Sequence, residues 1–134
     1  MSFEVDCDDF CNGLDLVKKA YPKRVEKFML KEGARLKSRI KKNARQRVKQ
    51  KTGNYIEGIR RGKHYVYRMN GKDSVRVYNA APHAHLVEDG HTQQTEHGEI
   101  FVEGKHVFRD SEKEFEPVFE ADADKFVDEV LEGL

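Results

Sequence analysis

The chain has 134 residues, 37% hydrophobic and 37% charged, with thirteen aromatics, two Cys and no Trp, which predicts one compact domain over 1–134 with a lean core. Twenty-five Lys and Arg stand against twenty-four Asp and Glu, and high charge with so many aromatics argues against disorder. No apolar run exceeds four residues, which excludes a membrane-spanning helix, and the acidic start from Met1 to Asp9 does not look like a signal or transit peptide.

Residues 1–21 are expected to form a short N-terminal helical segment, because Phe10, Leu14, Val17 and Tyr21 repeat at helical spacing before Pro22. Cys7 and Cys11 fall in it. Four apart and without further ligands nearby, they read as reduced thiols rather than a metal or redox pair. Pro22 can open the next helix. Val25, Phe28, Met29, Leu36, Ile40, Ala44 and Val48 then mark one narrow stripe, so a long basic helix is expected over 22–51, with Gly33 as a mild interruption and Gly53 as its stop.

A β-rich part is expected over 52–108. Residues 55–61 read as a first strand, and His64–Met69 and Ser74–Asn79 as a hairpin turning at Asn70-Gly71. A short helix is expected near 82–89, closed by Gly90; His91 to Gly98 is polar and reads as a loop, and Glu99–Glu103 as a further strand. A C-terminal helix over 110–132 follows, opened by a capping box of Ser111 and Glu114. Phe115, Phe119, Ala123, Phe126 and Val130 repeat along it, and Pro117 is a kink or a delayed start. The order predicts an α+β fold, with long N-terminal and C-terminal helices packed on a small antiparallel sheet.

The charge is sorted along this chain. Residues 1–17 hold five acids and no base; residues 18–63 hold eighteen bases against three acids, a balance of +15; residues 64–134 hold seven bases against sixteen acids, a balance of −9. Lys41, Lys42, Arg45, Arg47, Lys49, Lys51, Arg60, Arg61 and Lys63 form the candidate basic interaction surface. Two uses stay open for it: salt-sensitive contact with nucleic acid, or pairing with acidic surfaces within the fold or on a neighbouring subunit.

Enzymatic chemistry finds little support. His83 and His85 form a His-x-His pattern, with His91 and His97 following, but no carboxylate completes a ligand spacing, so no metal site and no cofactor are expected. No Ser occupies a nucleophile elbow, no phosphate loop is present, and the spacing of Glu88, Asp89 and His91 is generic. No catalytic residue is expected.

The stretch from Ala81 to His91 (APHAHLVEDGH) is the most distinctive in the chain. With Thr52-Gly53-Asn54-Tyr55 upstream and Val102 to Phe108 (VEGKHVF) downstream, it resembles the tail-completion, or head–tail joining, proteins of long-tailed phages and prophages. The resemblance covers roughly residues 22–132, with its three motifs in the same order. Asp89 and Glu103 depart from the pattern, and the N-terminal segment lies outside it. The motif residues that carry over are Thr52, Gly53, Pro82, His83, His85, Val87, Glu88, Gly90, His91, Gly104 and Phe108, as fold or docking positions. The resemblance implies a structural, non-enzymatic virion protein of the tail and neck, made in the bacterial host cytoplasm. Its implied partners are copies of itself in a homo-oligomeric ring such as a hexamer, the phage connector and tail-tube proteins, and DNA through non-specific contact; no membrane is implied. The alternative is a free nucleic-acid-binding protein that uses the basic helix.

Overall fold

The computed structural model describes residues 2–6, 17–48, 54–66, 68 and 71–133, with backbone alone at 2–6. Its elements are β1 (Ser2–Asp6), α1 (Pro22–Arg47), α2 (Asn54–Glu57), β2 (Ile59–Val66), β3 (Asp73–Asn79), α3 (Ala84–Asp89), β4 (Gly90–Thr95), β5 (Gly98–Glu103) and α4 (Val107–Glu132). The fold is α+β, as the order of elements predicts.

Helix α1 occupies the centre. It packs against β2 and β3 on one side and α4 on the other, while α4 meets the sheet mainly at β1. Two contacts require a broad buried arc, which is why Val25, Phe28, Met29, Leu36, Ile40 and Ala44 are joined in the interior by Glu32, Gly33 and Asn43. Gly33 is the crossing point. A β-carbon there would stand 2.7 Å from Val75 Cγ1 and 3.2 Å from Arg61 Cγ, so the glycine that weakens the helix lets it lie close on the sheet. Pro22 sits in the first turn, where a missing N–H costs nothing, and the helix ends as Val48 turns extended (φ −104°, ψ 121°).

The sheet is antiparallel with strand order β1-β3-β2, and a second, two-stranded sheet pairs β4 with β5. Val75 and Val77 of β3 are fully buried beneath α1, and Ile59 of β2 joins them. The far end of the β2–β3 pair is tied by Asp73. Its carboxylate takes Lys18 Nζ at 2.8 Å and His64 Nε2 at 2.6 Å, so residues 17–20, a helical turn, are anchored to the hairpin.

Four expectations are corrected. Ser2–Asp6 is a strand, not part of a helical segment over 1–21: Phe3 and Val5 alternate with Glu4 and Asp6, and Phe3 pairs with Val77 and Val5 with Val75 across the sheet. The rest of the expected N-terminal helix up to residue 16, with Cys7 and Cys11, lies outside the described residues. Residues 55–61 are not one strand; they divide into α2 and the start of β2, with Tyr55 buried by the helical turn and Ile59 by the sheet. The loop expected from His91 to Gly98 contains β4. Residues 92–101 are all exposed, so this hairpin buries neither face and shows no apolar alternation to read. Finally, α4 begins at Val107 rather than at a Ser111 cap. Ser111 is fully buried within the helix, where its Oγ accepts a 2.8 Å hydrogen bond from Asn43 Nδ2. Pro117 lies inside the helix on its exposed side, so a delayed start is excluded.

Candidate functional site

The three motifs meet in space. Helix α3 is entered through His83 in the left-handed conformation (φ 64°) and left through Gly90 at φ 90°, which places Glu88 inward, 5% exposed. Its carboxylate spans the start of α4: Oε2 accepts from the Phe108 N–H at 3.0 Å and Oε1 from the Arg109 N–H at 2.9 Å. Those are two of the amides that the first turn of a helix leaves without an internal partner, and a carboxylate there also faces the positive end of the helix dipole. The backbones are joined as well, Lys105 N–H to Val87 O at 2.7 Å and His106 N–H to Glu88 O at 3.2 Å. Gly104 makes this approach feasible, since a β-carbon there would lie 2.1 Å from the Glu88 carbonyl oxygen.

Tyr55 closes the clamp from the first motif. Its carbonyl accepts from Asn79 Nδ2 at 2.9 Å, and Asn79 Oδ1 accepts from the Ala81 N–H at 2.8 Å, so the end of β3 is tied to α2 just before the second motif. Burial, with the Glu88 carboxylate nearby, pushes the Tyr55 hydroxyl well above the ordinary phenol range. Phe108 is buried, Val87 packs half-buried on the core, and Thr52 and Gly53 lie outside the described residues. Pro82, His83 and His85 are exposed, and His91 is half-buried with its Nδ1 enclosed and unpartnered. The motif thus divides into an inward clamp, centred on Glu88, and an outward edge.

The basic candidates divide in a similar way. Arg47 pairs with Asp110 at 2.5 Å and donates to the Lys105 carbonyl, and Arg61 donates to the Leu30 carbonyl at 3.1 Å. Lys42, Arg45, Arg60 and Lys63 are exposed and Lys41 is half-buried, none of them in an ion pair among the described residues; Lys49 and Lys51 lie outside those residues. Two arginines absent from the candidate surface, Arg35 and Arg39, reach Asp122 and Glu114 of α4. The +15 and −9 segments therefore meet inside one fold, along an antiparallel helix pair that runs from Arg47–Asp110 to the stacked rings of Phe28 and Phe126, 4.5 Å apart. The signal for Arg35 and Arg39 lay in the stripe itself, as both flank Leu36 and Ile40 on the α1 surface that turns to α4.

Two concavities lie along this helix pair. The larger, about 610 Å³, is lined by Arg24, Lys27, Lys31, Lys125 and the Phe28–Phe126 stack, with Glu32 and Asp122 at its base. Glu32 is 2% exposed and its Oε2 has no partner; burial, aided by the Asp122 hydrogen bond and charge and opposed by Arg35 and Lys31, pushes its carboxyl up to about 8. The smaller, about 250 Å³, is a slot lined by Phe115, Val118, Ser38 and Asn43, with Arg35, Arg39 and Lys42 around its rim. Among the described residues, no group of three or more His, Cys, Asp or Glu side chains could hold a metal ion, and no helix is long and apolar enough to cross a membrane.

The sequence profile of the bacteriophage HK97-gp10-like family, described as "Bacteriophage HK97-gp10, putative tail-component", matches residues 8–90, more than half of the chain, and the chain belongs to that family. The match contains α1, the first motif and the second as far as Gly90; His91, the third motif and α4 lie beyond it. No curated protein and no solved structure matches the chain.

Proposed function

We propose that this phage tail component is a structural, non-enzymatic subunit of the tail and neck. It completes the head-proximal end of the tail and joins it to the head connector, as a homo-oligomeric ring in contact with connector and tail-tube proteins. The family match is the observation that carries this reading. The three motifs support it: their inward residues hold α3 against α4, work that shapes a rigid subunit rather than a reaction centre. A closed ring needs a head-to-tail contact between two unlike surfaces of each copy. The hairpin and the helix pair are two such surfaces.

Sedimentation and negative-stain microscopy of the protein mixed with tail tubes test the proposal. Rings, or extra density at one end of each tube, are expected. Bare tube ends with no ring in the mixture would sink it.

A further inference from the structure

The β4–β5 hairpin is the least self-sufficient part of the fold. Two strands alone are marginal in water, and this pair is supported mainly at its base by α3. Yet it exposes Ile100 at 51% and Phe101 at 68%, the latter the most exposed large apolar side chain among the described residues. From Gly90 to Gly104 there is no Lys or Arg, and Glu96, Glu99 and Glu103 make the arm acidic. Strand alternation places Glu99, Phe101 and Glu103 on one face, an aromatic ring between two carboxylates.

The slot between α1 and α4 complements the arm in charge: Arg35, Arg39 and Lys42 stand on its rim, and Val118 and the edge of Phe115 line it beside Ser38 and Asn43. Lys42 on that rim is exposed and makes no ion pair among the described residues. Among the described residues Arg39 is held only by a 3.5 Å contact to Glu114, with both side chains about two-fifths exposed. An aromatic anchor seated among opposite charges, with some apolar surface beneath it, is how energetically dominant contacts are commonly built.

We propose that Phe101 of one copy seats in the Phe115–Val118 slot of the next, with Glu99 and Glu103 meeting Lys42 and Arg39, as the head-to-tail contact that closes the ring. The occupant is a second copy of this chain. The arm and the slot lie on different elements, so each copy offers one of each, and the contact can repeat head to tail around a ring. This inference rests on the ring reading above and adds the residues that would make it.

The full-length chain can test it by sedimentation velocity over a concentration series, with Phe101→Ser in the arm and Lys42→Glu at the slot. Both positions are exposed, so thermal unfolding should stay close to that of the wild type. Each variant should self-associate at least about tenfold more weakly. An equimolar mixture should recover a species limited to two copies, because it restores one sound arm opposite one sound slot. A photoreactive phenylalanine at position 101 should cross-link to residues 35–43 or 115–118 of another copy. Unchanged association of both variants overturns the contact, as do cross-links confined to other surfaces or to a tail-tube protein. A wild-type chain that neither associates nor cross-links at any concentration overturns it too. The ring reading is judged separately, on the tail tubes: rings that form equally well with Phe101→Ser would sink this contact and leave that reading standing.

Discussion

Glu88 caps a helix that begins nineteen residues after it in the chain: its carboxylate oxygens accept the Phe108 and Arg109 amides at 3.0 and 2.9 Å from within the short helix α3. The cap is tertiary, so helix α4 starts where α3 docks.

Replacing Glu88 therefore acts on two elements together. Glu88→Ala leaves two amides without their acceptor, one of them buried, and removes a charge from the helix N-terminus. The expected loss is about 2–4 kcal/mol of unfolding free energy in urea titrations. Glu88→Gln keeps one acceptor oxygen and should lose less. A loss under about 0.5 kcal/mol in the alanine variant would contradict the clamp.

Gly104 tests the same junction through sterics alone. A β-carbon 2.1 Å from the Glu88 carbonyl oxygen meets backbone on both sides, and neither segment can yield without parting the hydrogen bonds between them. Gly104→Ala should cost about 2–4 kcal/mol, more than Gly71→Ala measured beside it loses to its left-handed turn. Equal losses would show that the approach at Gly104 is not tight.

The raised Glu32 carboxyl makes stability fall with pH. Below the unfolded pKa near 4.5 both states hold the proton. Between that value and about 8 the folded chain retains a proton that the unfolded chain has released, so folding loses free energy as pH rises. The decline should level off above the folded value, after a loss on the order of a few kcal/mol. Glu32→Gln, neutral at every pH, should flatten this dependence. Urea titrations from pH 5 to pH 9 on both proteins decide it; parallel curves would exclude Glu32 as the source.

The nucleic-acid alternative has its own measurement. Arg35, Arg39 and Arg47 of α1 are engaged by acids of α4, which leaves a broken basic surface rather than a continuous one. Fluorescence anisotropy with duplex DNA should show no saturation below about 10 µM near physiological salt. Tighter binding with a steep salt dependence would favour the alternative.

Periodicity made much of this fold legible. The α1 stripe from Val25 to Ala44 and the α4 stripe from Phe115 to Val130 place both long helices, and Val75 and Val77 place the central strand. Of the hairpin arm, the strand at Glu99–Glu103 was legible but β4 was not, because periodicity reports the burial of one face and residues 92–101 bury neither. Of the motif residues, Glu88 and Gly104 stood out in the sequence, but nothing in their spacing revealed that one carboxylate and one bare α-carbon serve the same junction. Arg35 and Arg39 escaped the basic candidate surface because flanking the α1 stripe marks them as lying near a buried face, while the acids they meet are some seventy-five to eighty-seven residues away.

By itself the sequence determined the two long helices, the central hairpin, the α+β class and the sorting of charge into a basic middle and an acidic end. Tertiary structure alone decided where that charge goes. Arg47–Asp110, Arg39–Glu114 and Arg35–Asp122 pair part of it between two helices of one chain, and Glu88 starts the second of those helices from outside it. The reason is physical. Hydrophobic periodicity is local and recurs every few residues, whereas a cap or an ion pair needs only two groups brought within about 3–4 Å, at whatever distance along the chain.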